Sequence, residues 1–261
     1  MRIETRDHQT IAASAAGSAA SGKRVVLIHS LAMDHQFWAP VVGALGDAAQ
    51  VLTYDCRGHG ASSKPRQSYT VEQFADDLAD VLDHLRWDNA VVAGASMGGT
   101  VALAFAARYP QRTAALGLFD TTAWYGTDAP KQWKERAEKA AQEGLAALVG
   151  FQKTRWFSDA FRARRPDIVE ATVETFLRND VAAYAATCAM LGAADLRAAL
   201  PTLKMPVRIG VGEEDYATPP AMAEALHRGI AGSTLTIFDG VRHLTPLEIP
   251  ERIAAEIRLL L

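Results

Sequence analysis

Ser96 stands in Gly94-Ala95-Ser96-Met97-Gly98, a spacing that places a serine on a sharp strand-to-helix turn with its hydroxyl lifted clear of the chain. The apolar run Val91-Val92-Ala93 leads into Gly94, and a small-residue stretch from Met97 to Tyr109 follows, so both flanking elements are expected. Side chains at Gly94 and Gly98 would collide with the neighbouring strand and helix. A serine hydroxyl is a weak nucleophile until a base takes its proton and an acid orients that base. Of the seven histidines (His8, His29, His35, His59, His84, His227 and His243), His243 lies just beyond the last apolar run, in a loop that can reach the turn. His84 and His227 fall within helical patterns. The acid should lie between serine and histidine in the chain, and Asp215 follows Val207–Gly212 at a strand exit. Glu213, Glu214 and Asp120 are its rivals; the carboxylate not used should be structural, bonded to loop N–H groups. The N–H groups of Leu31 and Met97 are placed to hold an oxyanion, each worth about 3 kcal/mol to a transition state. The plain alternative for Ser96 is a helix cap in a tight turn.

The elements that must position these groups follow from periodicity. Val25–His29, Val51–Tyr54, Ala90–Gly94, Ala114–Phe119, Val207–Gly212 and Thr234–Phe238 are short apolar runs, as expected for strands covered on both faces. Between them Val71, Phe74, Leu78, Val81, Leu82 and Leu85 recur at helical spacing behind Thr70, a candidate N-cap. Further helices are expected over Met97–Tyr109, ended by Pro110, and over Pro219–Ile230 and Pro250–Leu261, each opened by a proline. This alternation predicts an α/β protein with a mostly parallel sheet. From about Thr121 to Pro201 only helical periodicity appears, which predicts a helical lobe laid over the carboxyl edge of the sheet, where ligands bind in open α/β folds.

Composition limits the partners. Lys and Arg total 27 against 30 Asp and Glu, a net charge of −3, so no basic surface for nucleic acid is expected. No stretch approaches the roughly 20 apolar residues of a membrane span, and the acidic, leucine-poor start is unlike a secretory leader. Cys56 and Cys188 can close one bridge at most, which suits a reducing, cytoplasmic setting.

Several longer motifs carry a resemblance. His29-Ser-Leu, Asp55-Cys-Arg-Gly-His-Gly-Ala-Ser62, Gly94-Ala-Ser-Met-Gly-Gly99, Asp215 before Thr218-Pro-Pro, and His243 followed by Glu248 and Pro250 look like the α/β-hydrolase fold over nearly the whole chain. Thr154-Arg-Trp-Phe-Ser-Asp-Ala-Phe-Arg-Ala-Arg164, Tyr184-Ala-Ala-Thr-Cys-Ala-Met-Leu191, Ala194-Asp-Leu-Arg197 and Gly212–Pro220 resemble segments of the 3-oxoadipate enol-lactonases of aromatic degradation. The resemblance implies a core of residues 1–121 and 203–261, a helical cap over 122–202, a Ser96–His243–Asp215 triad, and opening of a lactone ring through an acyl-enzyme without metal or organic cofactor. A broad carboxylesterase, a hydrolase of carbon–carbon bonds in meta-cleavage products, and a non-catalytic ligand receptor on the same scaffold are the alternatives. The enol-lactonase pattern would read Asn-Ser-Leu-Gly at 29–32, Leu at 95 and Asn at 120, where this chain has His29, Ala32, Ala95 and Asp120. A substrate bearing a free carboxylate also needs a cation in an otherwise apolar pocket. Arg155, Arg136 and Lys153 are the candidates, with Trp133 and Trp156 as walls.

Overall fold

The computed structural model describes Met1–Leu261 in full. Eight strands form one sheet in the order β1-β2-β4-β3-β5-β6-β7-β8. They are β1 (Arg2–Glu4), β2 (Thr10–Gly17), β3 (Arg24–Ile28), β4 (Gln50–Tyr54), β5 (Ala90–Ala95), β6 (Thr113–Phe119), β7 (Val207–Gly212) and β8 (Thr234–Phe238). From β4 through β8 neighbours pair in parallel, and only the β1–β2 and β2–β4 pairings are antiparallel.

The six predicted apolar runs form β3 to β8; β1 and β2 lie outside them, and the reading of β8 needs correction. Residues 10–17 form the strand β2 despite their alanine and serine content. Intrinsic preference is weak there, and pairing with β4 decides the outcome. β8 is not covered on both faces: it is an edge strand, with Thr234 and Ile237 exposed.

Helices α1 (Ala39–Leu45), α2 (Val71–His84) and α3 (Met97–Arg108) follow β3, β4 and β5. Thr70 caps α2 through a reciprocal pair: Gln73 N donates to Thr70 Oγ1 at 3.3 Å, and Thr70 N donates to Gln73 Oε1 at 2.9 Å. After β6 come α4 (Ala129–Glu143), α5 (Val149–Trp156), α6 (Asp159–Arg164), α7 (Pro166–Leu177) and α8 (Val181–Ala193), with no strand of the sheet among them. The two ends of this insertion meet where Trp124 bridges Asp195 and Leu196 N donates to Ala123 O at 2.9 Å. Helix α9 (Pro220–Gly229) precedes β8, and α10 (Thr245–Glu248) and α11 (Pro250–Arg258) close the chain.

One ion pair lies wholly inside. Arg57, in the loop after β4, donates to Asp77 of α2 through Nε at 2.7 Å and Nη2 at 2.5 Å, and both side chains are 2% exposed. Its Nη1 reaches Asp7 in the β1–β2 turn at 3.0 Å, so one guanidinium ties the edge hairpin to a core helix. Burial raises the Asp77 carboxyl to about 6 despite Arg57. Such a pair is worth little over an apolar substitute, but removing one partner strands the other. Asp77→Ala is therefore expected to lower unfolding stability by about 3–5 kcal/mol in urea denaturation. A change under about 1 kcal/mol would mean that Arg57 finds water instead.

Candidate active site

Ser96 sits between β5 and α3 with φ 55° and ψ −120°, a conformation that side chains rarely adopt and that turns its hydroxyl away from the sheet. The turn closes tightly only because glycine occupies the flanking positions. A Cβ on Gly94 would run into the Gly98 carbonyl, and one on Gly98 into the Ile28 carbonyl of β3. Thr121 Oγ1, just past β6, donates to Ser96 O at 2.7 Å and fixes the backbone from the other side.

Three groups form a continuous hydrogen-bonded chain. His243 Nε2 lies 2.8 Å from Ser96 Oγ, and His243 Nδ1 lies 2.8 Å from Asp215 Oδ2. Asp215 also accepts from Ala217 N at 2.7 Å, Thr218 N at 3.0 Å and Thr218 Oγ1 at 2.8 Å. Burial alone would raise its carboxyl, but His243 and the bonds from Thr218 bring it below the ordinary range, so it is an anion at neutral pH.

The other histidines lie elsewhere. His29 and His59 are buried and neutral, with burial bringing His59 down to about 3. His29 Nε2 accepts from Cys56 N at 3.0 Å, and His35 Nδ1 contacts Asp55 at 2.7 Å. His8, His84 and His227 are at the surface. Glu213 and Glu214 are exposed.

Asp120 directly follows β6, one strand from the one that Asp215 follows, and is fully buried. It accepts from Gly212 N at 3.2 Å and from Thr245 N at 3.1 Å, and Thr245 Oγ1 lies 2.6 Å away. It thus ties the exit of β7 to the start of α10, two residues beyond His243. Burial, with the Asp215 charge adding, raises its carboxyl well above the usual range.

A narrow cavity opens on Ser96 and His243. Trp133 and Arg136 come to it from α4, Gln152, Arg155 and Trp156 from α5, and Tyr125 from the insertion's entry. Leu31 also lines it, and Met97 is the first residue of α3; neither N–H is spent on a protein acceptor. Arg155 and Arg136 face the cavity without an acidic partner, Arg136 instead donating to Tyr184 Oη at 2.6 Å. Burial lowers Arg155 to about 10, helped by the Arg136 charge, so it remains a cation at neutral pH. Lys153 does not reach the cavity: two residues from Arg155 on one helix, it points the other way. Gln152 and Tyr125 went unnoticed in the sequence. Both carry a buried polar atom without a partner in the chain.

The chain belongs to the alpha/beta hydrolase fold family, which it matches over residues 23–250. It is 32% identical to 3-oxoadipate enol-lactonase 1 of Acinetobacter baylyi over 228 residues, 87% of this chain and 84% of that one. The enol-lactonase structure from Burkholderia xenovorans LB400 superposes with a TM-score of 0.94 at 32% identity, covering 100% of this chain and 99% of the other. A thermophilic esterase from Thermogutta terrifontis, solved with malate bound, gives a TM-score of 0.92 at 30% identity over 99% and 96%.

A proton on Asp120 has a measurable consequence. The folded protein holds that proton at pH values where the unfolded chain has lost it, because the folded carboxyl is raised. The stability it contributes is complete below the ordinary carboxyl range and is lost progressively as pH rises from that range through the raised value of the folded carboxyl. Asp120→Asn cannot ionise, so its Tm relative to the unmodified protein should climb as pH rises above the ordinary carboxyl range. A flat or falling difference in thermal melts would assign Asp120 an ordinary ionised carboxylate.

Proposed function

We propose that this chain is a serine hydrolase that opens a carboxylate-bearing lactone, 3-oxoadipate enol-lactone or a close analogue. The observation that carries the reading is one cavity holding both the Ser96–His243–Asp215 chain and two guanidinium groups without acidic partners. Similarity along nearly the whole chain, at 32% identity, to proteins named enol-lactonases supports the reaction, and malate in the Thermogutta esterase supports a carboxylate-bearing ligand.

In this reading Ser96 Oγ attacks the lactone carbonyl while His243 Nε2 takes its proton, and Asp215 stabilises the imidazolium. The N–H groups of Leu31 and Met97 hold the tetrahedral oxyanion. Collapse breaks the bond from acyl carbon to ring oxygen, and His243 returns its proton to that leaving oxygen. The leaving group stays tethered to the acyl-enzyme, so an ordinary lactone would close again. An enol tautomerises to a ketone, a poor nucleophile, and the acyl-enzyme survives. Water then gives a proton to His243 and attacks the acyl carbon, and as the bond to Ser96 Oγ breaks His243 returns that proton to the serine, releasing the second carboxylate. The helical insertion acts as a cap, with Trp133 and Trp156 as walls and Arg155, aided by Arg136, holding the substrate carboxylate.

The test is loss of the conjugated absorbance of 3-oxoadipate enol-lactone. Ser96→Ala should reduce turnover at least about 1,000-fold and abolish labelling by a fluorophosphonate. A strong preference for p-nitrophenyl acyl esters would replace the lactonase reading with a general esterase. Absence of both turnover and labelling would favour a ligand receptor.

Arg155→Met should raise KM for the lactone about 10- to 100-fold, the worth of one charge-assisted contact, with p-nitrophenyl acetate affected less than about twofold. Equal losses on both substrates would place the carboxylate elsewhere.

A further inference from the structure

The segment Thr154–Ser158 faces two ways. Its side chains Arg155 and Trp156 line the cavity, while its backbone is bonded to the loop that carries His243. The residues on either side of His243 make those bonds. Leu244 N donates to Trp156 O at 3.0 Å. Arg242 Nη1 donates to Thr154 O at 2.9 Å and to Phe157 O at 3.1 Å.

Glu248 fastens the junction. Its Oε1 accepts from Ser158 N at 3.1 Å and from Arg242 N at 2.9 Å, and its Oε2 accepts from Ser158 Oγ at 2.6 Å. The residue is 7% exposed, so the carboxylate is kept inside at a desolvation cost. Every one of its hydrogen bonds goes to this junction. The His243 ring is held on its other side by Asp215 and Ser96, with Thr218 Oγ1 at 3.4 Å. Its backbone lies in an irregular stretch between β8 and α10.

We propose that Glu248 is a positioning residue that locks the cavity-lining segment 154–158 to the His243 loop, so that the imidazole and the ligand-binding side chains are placed as one body. The proposal rests on reading Ser96, His243 and Asp215 as the catalytic triad. A base displaced by about 1 Å can lose on the order of 100-fold in rate. Glu248 touches neither substrate nor Ser96, and it acts through Arg242 and Ser158.

Two substitutions separate this role from simple stability. In Glu248→Gln the remaining oxygen keeps both N–H donors, and the new amide donates to Ser158 Oγ, which turns to accept. Glu248→Ala loses all three bonds. Rates are measured on p-nitrophenyl acetate, a neutral ester, per Ser96 titrated to completion with a fluorophosphonate. Glu248→Ala should lower kcat about tenfold or more with KM changed less than about twofold, and Glu248→Gln should stay within about threefold of the unmodified protein. Arg242→Met keeps the Arg242 N–H bond but loses the side-chain bonds to Thr154 O, Phe157 O and Asp159, and should fall between them.

Wild-type kcat in Glu248→Ala with only a lowered Tm would overturn the proposal. If Glu248→Ala does not fold, Arg242→Met decides: unchanged kcat overturns the proposal and a selective fall in kcat supports it. Failure of the triad reading itself would appear separately, as an unmodified protein that neither turns over nor labels.

Discussion

The carbonyl of Ile28 lies so close to the backbone of Gly98 that no side chain fits between them. This contact sets the approach of α3 to β3, and much of the site follows from it. With α3 pressed against the sheet, the turn before it has no room to relax, and Ser96 is left in a positive-φ conformation. The same approach brings the start of α3 beside the loop after β3, where Leu31 sits. On the far side Gly99 admits Thr121, whose hydroxyl bonds the Ser96 carbonyl. Strain at one residue is thus held by packing from two neighbouring strands, and the buried interior of α3 supplies the rigidity.

The ends of β6 and β7 carry two carboxyl groups with opposite fates. Asp215 is surrounded by donors and faces an imidazole, which favours its charge. Asp120 has fewer donors, complete burial and an anion nearby, which favour its proton. Pushing two neighbouring acids apart in this way lets one serve as a charge while the other serves as a strut. The strut spans the exit of β7 and the turn after His243, the two places whose separation must stay fixed for the histidine and Asp215 to remain bonded.

The sheet was readable from sequence where burial leaves a continuous apolar run, as in β3, β5 and β6. It was not readable in β2, where only Ile11 and Ala13 are buried and partner strands impose the conformation. Ser96 could be singled out because five positions constrain one another within a turn. Asp215 and Asp120 both end apolar runs, and only the direction of the side chains tells which meets His243. On α5 the sequence offered Lys153 and Arg155 alike, because a cation carries no mark of its helical phase. Once the phase is known, Gln152, Arg155 and Trp156 fall on one face, three and four residues apart. Gln152 gave no signal of its own, since an isolated glutamine on a helix ordinarily faces water.

The bridge between Trp124 and Asp195 gives the helical insertion a single doorway, with entry and exit side by side above the sheet. A segment attached this way can lengthen, shorten or be exchanged without altering the spacing of β6 and β7. Lineages sharing this scaffold can therefore diversify what they admit while inheriting unaltered the apparatus beneath. In this chain the trade is restricted at Ser158, where Glu248 grips the inserted helices. Any replacement would have to offer an equivalent handhold there.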